Sequence, residues 1–372
     1  MRTFDCACGN QIFFENSQCL RCGRMLGFVP DVRLLCAFES AGNGAYRALH
    51  PQLAGRLFRR CQNGTVYETC NWMVPDQHSY AHCKSCRLNQ VIPDLSQPRH
   101  LQLWYEVEKA KRRLLYTLFA LNLPYHGHHR KQGGLAFQFL ADDRLVGRED
   151  SGWTDQRVST GHHNGVITIN LMEADPTLRE AMRESMNEAY RTLLGHFRHE
   201  SGHYYWFRFF QEQRKDLAHL EEFRRLFGDE RQDYAAALHT YYNQGPTPDW
   251  TSRTISAYAS SHPWEDFAET WAHYLHMADT LETASDAGFQ IGGRLLASPL
   301  MPAENTLPFG PLPVQADFDR VIEDWLLLTQ TMNLLNRSMG LADAYPFTLT
   351  ETVTSKLRFI HKVIGQHQGE PD

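Results

Sequence analysis

Nine cysteines stand at Cys6, Cys8, Cys19, Cys22, Cys36, Cys61, Cys70, Cys83 and Cys86, and none follows in a chain of 372 residues. No other feature limits the fold so tightly, because clustered thiols either cross-link a region or bind metal. An odd count leaves a stray thiol in a disulfide framework, and a disulfide-stabilised chain of this length would spread its bridges. The start "MRTFDCACGNQIFF" has no basic stretch followed by an apolar run, so export by the usual signal is not expected. The expectation is a cytoplasmic protein with reduced thiols arranged as two zinc-binding sets. Cys6-x-Cys8 with Cys19-x2-Cys22 makes the first, and Cys61-x8-Cys70 with Cys83-x2-Cys86 the second. Four thiolates close a tetrahedral zinc, so such sites stabilise small domains and leave no open position for chemistry. Gly9 and Gly23 directly follow a cysteine, where a tight turn can aim backbone N–H groups at the sulfurs. The competing reading is a set of reduced, buried thiols, and Cys36, which has no partner in this scheme, reads as a small core residue.

Charge limits the partners. Residues 1–90 carry ten Lys and Arg against six Asp and Glu, and two four-thiolate zinc sites at about −2 each cancel that surplus. The chain as a whole is at −6, which leaves the remainder near −10 by subtraction and gives phosphates no basic face. Nucleic acid is not an expected partner, and a ribbon that recruits or scaffolds a protein is. No run of about 18 apolar residues occurs, so no membrane span is expected. The length allows two or three domains, and an apolar content of 42% permits sizeable cores.

The stretch "HFRHESGHYYWFRFF" places His199, Glu200 and His203 in the spacing H-E-x-x-H. The segment from Asp175, a helix cap followed by Pro176, through Phe210 reads as helix. Residues four apart on a helix share a face, so His199 and His203 present two imidazoles to one ion while Glu200 reaches its open side as a general base. Two histidines, a third protein ligand and a water make a catalytic zinc site. The alternative is two histidines on a half-buried face beside an exposed Glu. Trp206 and Phe209 stand where the extended H-E-x-x-H-x-x-G-x-x-H pattern needs Gly and His, so the third ligand must come from elsewhere. A second helix is expected to start near His262 and Pro263. On it Glu265 is the candidate ligand, and Glu269, four residues on, is placed to accept a hydrogen bond from a liganding imidazole. The alternative is an ordinary acidic first turn favoured by the helix dipole, with Glu269 on the surface.

Through "GHFRHESGHYYW", "FGDERQDYAAALHTYYNQGP", "SAYASSHPWEDFAETWAHYLHMADTL", "CNW" and "CKSC", residues 1 to about 345 resemble the bacterial zinc-binding metallopeptidases that carry an N-terminal zinc ribbon. That resemblance implies a zincin-like domain of the gluzincin type, with His199, His203 and Glu265 as zinc ligands and Glu200 as base. The "EDFAE" segment is similar to the third-ligand helix of the anthrax lethal factor group, which implies an assisting role for Tyr258, seven residues before Glu265. The expected fold class is α+β, with a zincin-like domain over residues 96–350, mostly helical with a small sheet. A Cys-rich ribbon region (1–95) precedes it, and a C-terminal helix and polar tail (351–372) follow. "HLQLWYEVEKAKRRLLYTLFALNL" reads as a backing helix, "GGLAFQFLADD" as one strand and "GVITINLMEAD" as another. The last would offer Gly165, Val166 and Ile167 as a free edge to an extended peptide, unless it is an internal strand. Histidines of "YHGHHRK" and "TGHH" read as surface loop residues, and Asp229, Glu230, Arg231 and Asp233 as a solvated, salt-linked face. The expected function is zinc-dependent hydrolysis of a peptide or amide bond, using one catalytic and two structural zincs. The rival is a non-catalytic adaptor that keeps a zincin fold.

Overall fold

In the computed structural model Gly9 and Gly23 have φ of 76° and 70°, the left-handed region that glycine enters without strain, and the chain turns back at both. The structure describes residues 1–142, 158, 160–185, 188, 190–212, 217–300 and 317–368. It divides into two units, Met1–Ala120 with Tyr125–Met186 and Leu121–Pro124 with Asn187–Asp372.

In the first unit β1 (Phe4–Asp5) and β2 (Gln11–Ile12) pair antiparallel around the first of those turns. β3 (Met25–Val29), β4 (Leu34–Gly42), β5 (Ala45–Ala48), β6 (Leu57–Arg60) and β7 (Met73–Pro75) then form an antiparallel sheet in chain order, with the short α1 (Gln62–Val66) between β6 and β7. Its core gathers Val29, Cys36, Phe38, Leu53, Phe58 and Met73, so Cys36 is the small core residue its lack of a partner suggested. β8 (Asn89–Val91) leads to α2 (Pro98–Ala120), which buries Trp104, Val107, Leu114, Leu115 and Leu118. Charged residues tie this helix to the Cys-rich region. Arg112 donates to the Thr69 carbonyl at 2.5 Å, and Arg113 pairs with Glu15 at 2.5 Å. Lys111, wholly buried, pairs with Glu108 at 2.9 Å and donates to Asn89 of β8. β9 (Ala136–Leu140), β10 (Gly161–His163) and β11 (Val166–Asn170) complete a second sheet in the order β10-β11-β9-β8. The expected boundary near residue 95 thus falls inside this unit, in which α2 is bonded to the Cys-rich region and β8 pairs with β9 across the boundary.

β11 is antiparallel to β10 on one side and parallel to β9 on the other, so Val166 and Ile167 lie in an inner strand whose backbone groups are already paired. Gly165 instead closes a two-residue hairpin turn with Asn164, both at positive φ (86° and 49°), the geometry that favours Asn-Gly. A Cβ at Gly165 would stand 2.2 Å from the Gly133 carbonyl oxygen. These three residues are therefore explained by hairpin closure and offer no free edge to a substrate. A second correction concerns the helix read from Asp175 to Phe210. Asp175 does cap α3 (Pro176–Ser185), accepting from Thr177 and Leu178. The H-E-x-x-H segment belongs to a separate helix with its own cap.

That helix, α4 (Leu193–Trp206), opens the second unit's helical array, with the Thr192 hydroxyl accepting from the Gly195 amide at 2.9 Å. It runs into a π-helical turn at Phe207–Glu212. α5 (Leu217–Phe227), α6 (Tyr234–Gln244), α7 (Trp250–Arg253) and α8 (Pro263–Asp286) follow. The two-stranded β12 (Gln290–Ile291) and β13 (Arg294–Leu295) precede α9 (Phe318–Ser338) and α10 (Glu351–His367). The start of α8 is as its sequence indicates: Pro263 occupies the first turn with Glu265 and Asp266, and the His262 ring accepts from the Trp264 amide at 3.1 Å. α4 packs along α8, and Gly202 sets how closely. A Cβ there would lie 2.8 Å from the Ala268 Cα. Beside it the Trp271 indole donates to Ser201 Oγ at 3.1 Å. Phe210, Phe223, Phe227, Phe267 and Phe359 pack ring against ring. α10 accordingly belongs to this core, with Val353, Leu357, Ile360 and Ile364 buried. Among the described residues, no helix is long and apolar enough to cross a membrane.

Candidate metal centres

The close approach of α4 and α8 brings His199 and His203, one turn apart on α4, against Glu265 of α8. His199 Nδ1 lies 2.7 Å from Glu269 Oε1, which assigns a proton to that nitrogen and leaves the Nε2 lone pair free. That Nε2 faces His203 Nε2 at 3.2 Å and Glu265 Oε2 at 3.0 Å, while His203 Nε2 stands 3.5 Å from Glu265 Oε1. Ligand atoms about 2.0–2.1 Å from a tetrahedral zinc are about 3.3 Å apart, so the spacing matches. Glu265 is 1% exposed and its Oε2 has no hydrogen-bond partner, an arrangement that a cation at the convergence point satisfies. The donor set of two imidazoles and a carboxylate also suits zinc.

The electrostatics agree. Burial pushes the His199 imidazolium down, yet the adjacent Glu265 and Glu269 carboxylates outweigh it and hold the group well above its ordinary value. The two carboxylates thus favour a positive charge at this ring. Glu265 is shifted well down: burial opposes that, and the nearby rings of His203 and His199 prevail. Glu269 is likewise drawn down to about 2 against its burial, by His199 first, and Ser256 Oγ donates to its other oxygen at 2.7 Å. Glu200 is also buried, and that burial raises its pKa while His199 and His203 pull the other way. Tyr258, on a single 3-10 turn before α8, places its ring 6.0 Å from that of His199. Burial raises its pKa, followed by the charge of Glu265.

The cysteines gather in the two expected sets, Cys6, Cys8, Cys19 and Cys22, and Cys61, Cys70, Cys83 and Cys86. Cys6 and Cys22 sulfurs are 3.6 Å apart, and both Cys8 with Cys19 and Cys70 with Cys83 are at 3.7 Å. These distances exceed a disulfide bond and match the separation of about 3.8 Å across a zinc held by sulfurs at about 2.3 Å. Backbone N–H groups point at the sulfurs, from Cys83 to Cys61, from Cys86 to Cys83 and from Trp72 to Cys70. The Cys22 thiol is lowered to about 6, first by the Arg24 amide, whereas burial raises Cys6 to about 12.

Three site features escaped the sequence reading. Tyr234 donates its hydroxyl to Glu265 Oε1 at 2.6 Å, Ser256 holds Glu269, and Gly202 lets the two ligand-bearing helices meet. Only Gly202 carried a signal, as a glycine inside a helical pattern. Of the charged turn before α6, Asp229 and Arg231 pair at the surface as expected. Glu230 is instead buried against Arg224, and Asp233 caps α6 by accepting from the Ala236 amide. His126, His128, His129, His162 and His163 join no metal-binding group among the described residues.

Comparison with known proteins bears on the whole chain. Residues 3–97 match a zinc-ribbon domain family, and residues 100–363 match the family described as "Putative zinc-binding metallo-peptidase". Proteins of Mycobacterium bovis and Mycobacterium tuberculosis, each named only as an uncharacterized protein, are 39% identical over 368 residues, covering 98% of this chain and 96% of the relative. No solved structure matches the chain. With a zinc ribbon at its N-terminus and the metallopeptidase family match over most of its length, the chain belongs to the family of zinc-binding metallopeptidases.

Proposed function

We propose that the protein is a zinc-dependent peptidase or amidase of zincin-like, gluzincin type, with one catalytic and two structural zincs. The observation that carries this reading is the convergence of His199 Nε2, His203 Nε2 and the buried Glu265 carboxylate, with separations of 3.0–3.5 Å, beside a buried Glu200. A zinc ion held by these three residues would supply Lewis-acid polarisation of the substrate carbonyl and lower the pKa of water. The protein's own groups account for the rest. Glu200, shifted toward neutrality by burial, takes the attacking water's proton and delivers it to the leaving nitrogen. Tyr258, whose proton is held firmly at its half-buried position, donates to the oxyanion that develops on the carbonyl. Glu269, held by Ser256, keeps the His199 proton on Nδ1 and so keeps Nε2 free. The cysteine sets stabilise the ribbon region and recruit a protein partner, and the reduced thiols favour a cytoplasmic setting. Peptides or protein chains are the substrates this chemistry suits, and the acidic remainder of the chain argues against nucleic acid. Glu200→Gln is the test: it should retain all bound zinc and lose hydrolysis of a peptide library by about 10²–10⁴-fold. Undiminished hydrolysis in that variant would remove Glu200 from the mechanism.

A further inference from the structure

Two tyrosines stand at the candidate metal site on different elements, Tyr234 bonded to Glu265 and Tyr258 beside His199, and the geometry separates their tasks. Tyr258 lies on the turn that precedes α8, with its ring beside His199 at 6.0 Å and beside Tyr241 at 5.7 Å. Tyr234 is the first residue of α6, and its hydroxyl is committed to Glu265 Oε1 at 2.6 Å. A phenol has one hydrogen to donate, so the Tyr234 hydrogen is spent on Glu265. A carboxylate has two oxygens and rotates about its last bond unless both are engaged. With Oε1 fixed by Tyr234, Oε2 is the oxygen turned to His199.

Resting on the reading of His199, His203 and Glu265 as a zinc site, we propose that Tyr234 is a positioning residue that fixes the Glu265 carboxylate for metal, leaving the substrate-facing role to Tyr258. The placement of Tyr234 supports this. Its ring is braced by His262 at 5.2 Å and Trp264 at 5.7 Å. Both brackets belong to the start of α8, the helix that carries Glu265. The His262 ring is itself set by the Trp264 amide at 3.1 Å and the Gln232 carbonyl at 3.3 Å. The Asp233 cap fixes the first turn of α6 by accepting from Ala236 at 3.0 Å. α6 buries no residue completely, so its sequence is not explained by core packing, whereas the hydroxyl of its first residue reaches a carboxylate that is 1% exposed. Loss of such an outer hydrogen bond to a liganding group ordinarily weakens metal binding by about 10–100-fold.

The test measures competition for the third zinc between the full-length protein and a chromophoric chelator, with the cobalt(II) absorption spectrum of that site as a second readout. Tyr234→Phe keeps the ring between His262 and Trp264 and removes only the hydroxyl. It should weaken zinc binding by about 10–100-fold and alter the cobalt bands, and Tyr234→Leu should weaken it by a similar factor. Tyr258→Phe should leave affinity and spectrum at wild-type values. Wild-type affinity and spectrum in Tyr234→Phe would overturn the proposal, and so would a loss confined to Tyr234→Leu, which would mean that the ring acts by packing alone. Glu265→Gln separates this from the underlying reading. If it too leaves the third zinc untouched, the metal-site assignment falls and the role of Tyr234 with it. If it abolishes that zinc while Tyr234→Phe does nothing, only the tyrosine's role is refuted.

Discussion

His273 illustrates how strongly single residues of the second unit depend on burial. Its ring lies in the core of α8, with Nδ1 2.9 Å from the Tyr345 hydroxyl and the Phe347 ring at 4.4 Å. Burial lowers its pKa from 6.5 to about 4. Between those values the unfolded chain binds more protons than the folded one, so stability falls as pH drops from about 6.5 toward about 4. His276, shifted down by burial as well, acts in the same direction. Asp266, raised by burial to about 6 against the pull of Lys356, acts in the opposite one between 3.8 and 6. At pH 5 the His273 share is about 2 kcal/mol. Denaturant midpoints at pH 7 and pH 5 should therefore converge in His273→Gln relative to the wild type, and an unchanged gap would remove His273 as the source. At this scale the sequence was readable wherever chemistry and spacing coincide. His199, Glu200 and His203 follow from one helical turn, and Glu265 and Glu269 from another. Tyr234 was not readable, because it stands 31 residues before Glu265 on a different helix and no local periodicity links them.

At the scale of elements, the site is a contact between α4 and α8, and Gly202 sets it. Gly202→Ala would bring a Cβ to 2.8 Å from the Ala268 Cα and 3.2 Å from the Trp271 Cβ. The nearest atom is backbone on a packed helix, so relief requires the helices to part. Overpacking of this kind costs about 1–3 kcal/mol. Thermal unfolding should shift accordingly, and the third zinc should bind more weakly because both histidines lie on the displaced helix. A variant with wild-type melting and wild-type zinc affinity would show that the contact has slack. The start of α8 was legible from Pro263 and from apolar spacing, whereas α2, read from His100, begins two residues earlier at Pro98. The break between α3 and α4 was not, because periodicity continues past Ser185 while Thr192 begins a new cap. The strand at Val166–Asn170 was legible as a strand, but its two neighbours are set by the Asn164–Gly165 turn and by β9, which hydropathy alone does not order.

For the whole molecule, family resemblance and packing draw the boundary in different places. The ribbon and metallopeptidase matches meet between residues 97 and 100, whereas α2 is tied to the Cys-rich region by Arg112 with the Thr69 carbonyl, by Arg113 with Glu15 and by an edge-to-face contact of Tyr116 with Phe14 at 5.3 Å, and to β8 by Lys111 with Asn89. Contacts between residues far apart in the chain produce that assignment, and composition does not reveal them. The grouping of the candidate metal ligands was better written in the sequence, because Cys-x2-Cys and H-E-x-x-H are short patterns whose chemistry fixes their geometry. Zinc per chain by elemental analysis of the full-length protein, purified without added metal, is the most direct measurement of the account, made on the wild type and on His203→Ala and Glu265→Ala. Three zincs in the wild type, falling to two in both variants, is the predicted result. Two zincs in all three proteins would contradict it, leaving the cysteine sets as the only tight metal sites and α4 with none.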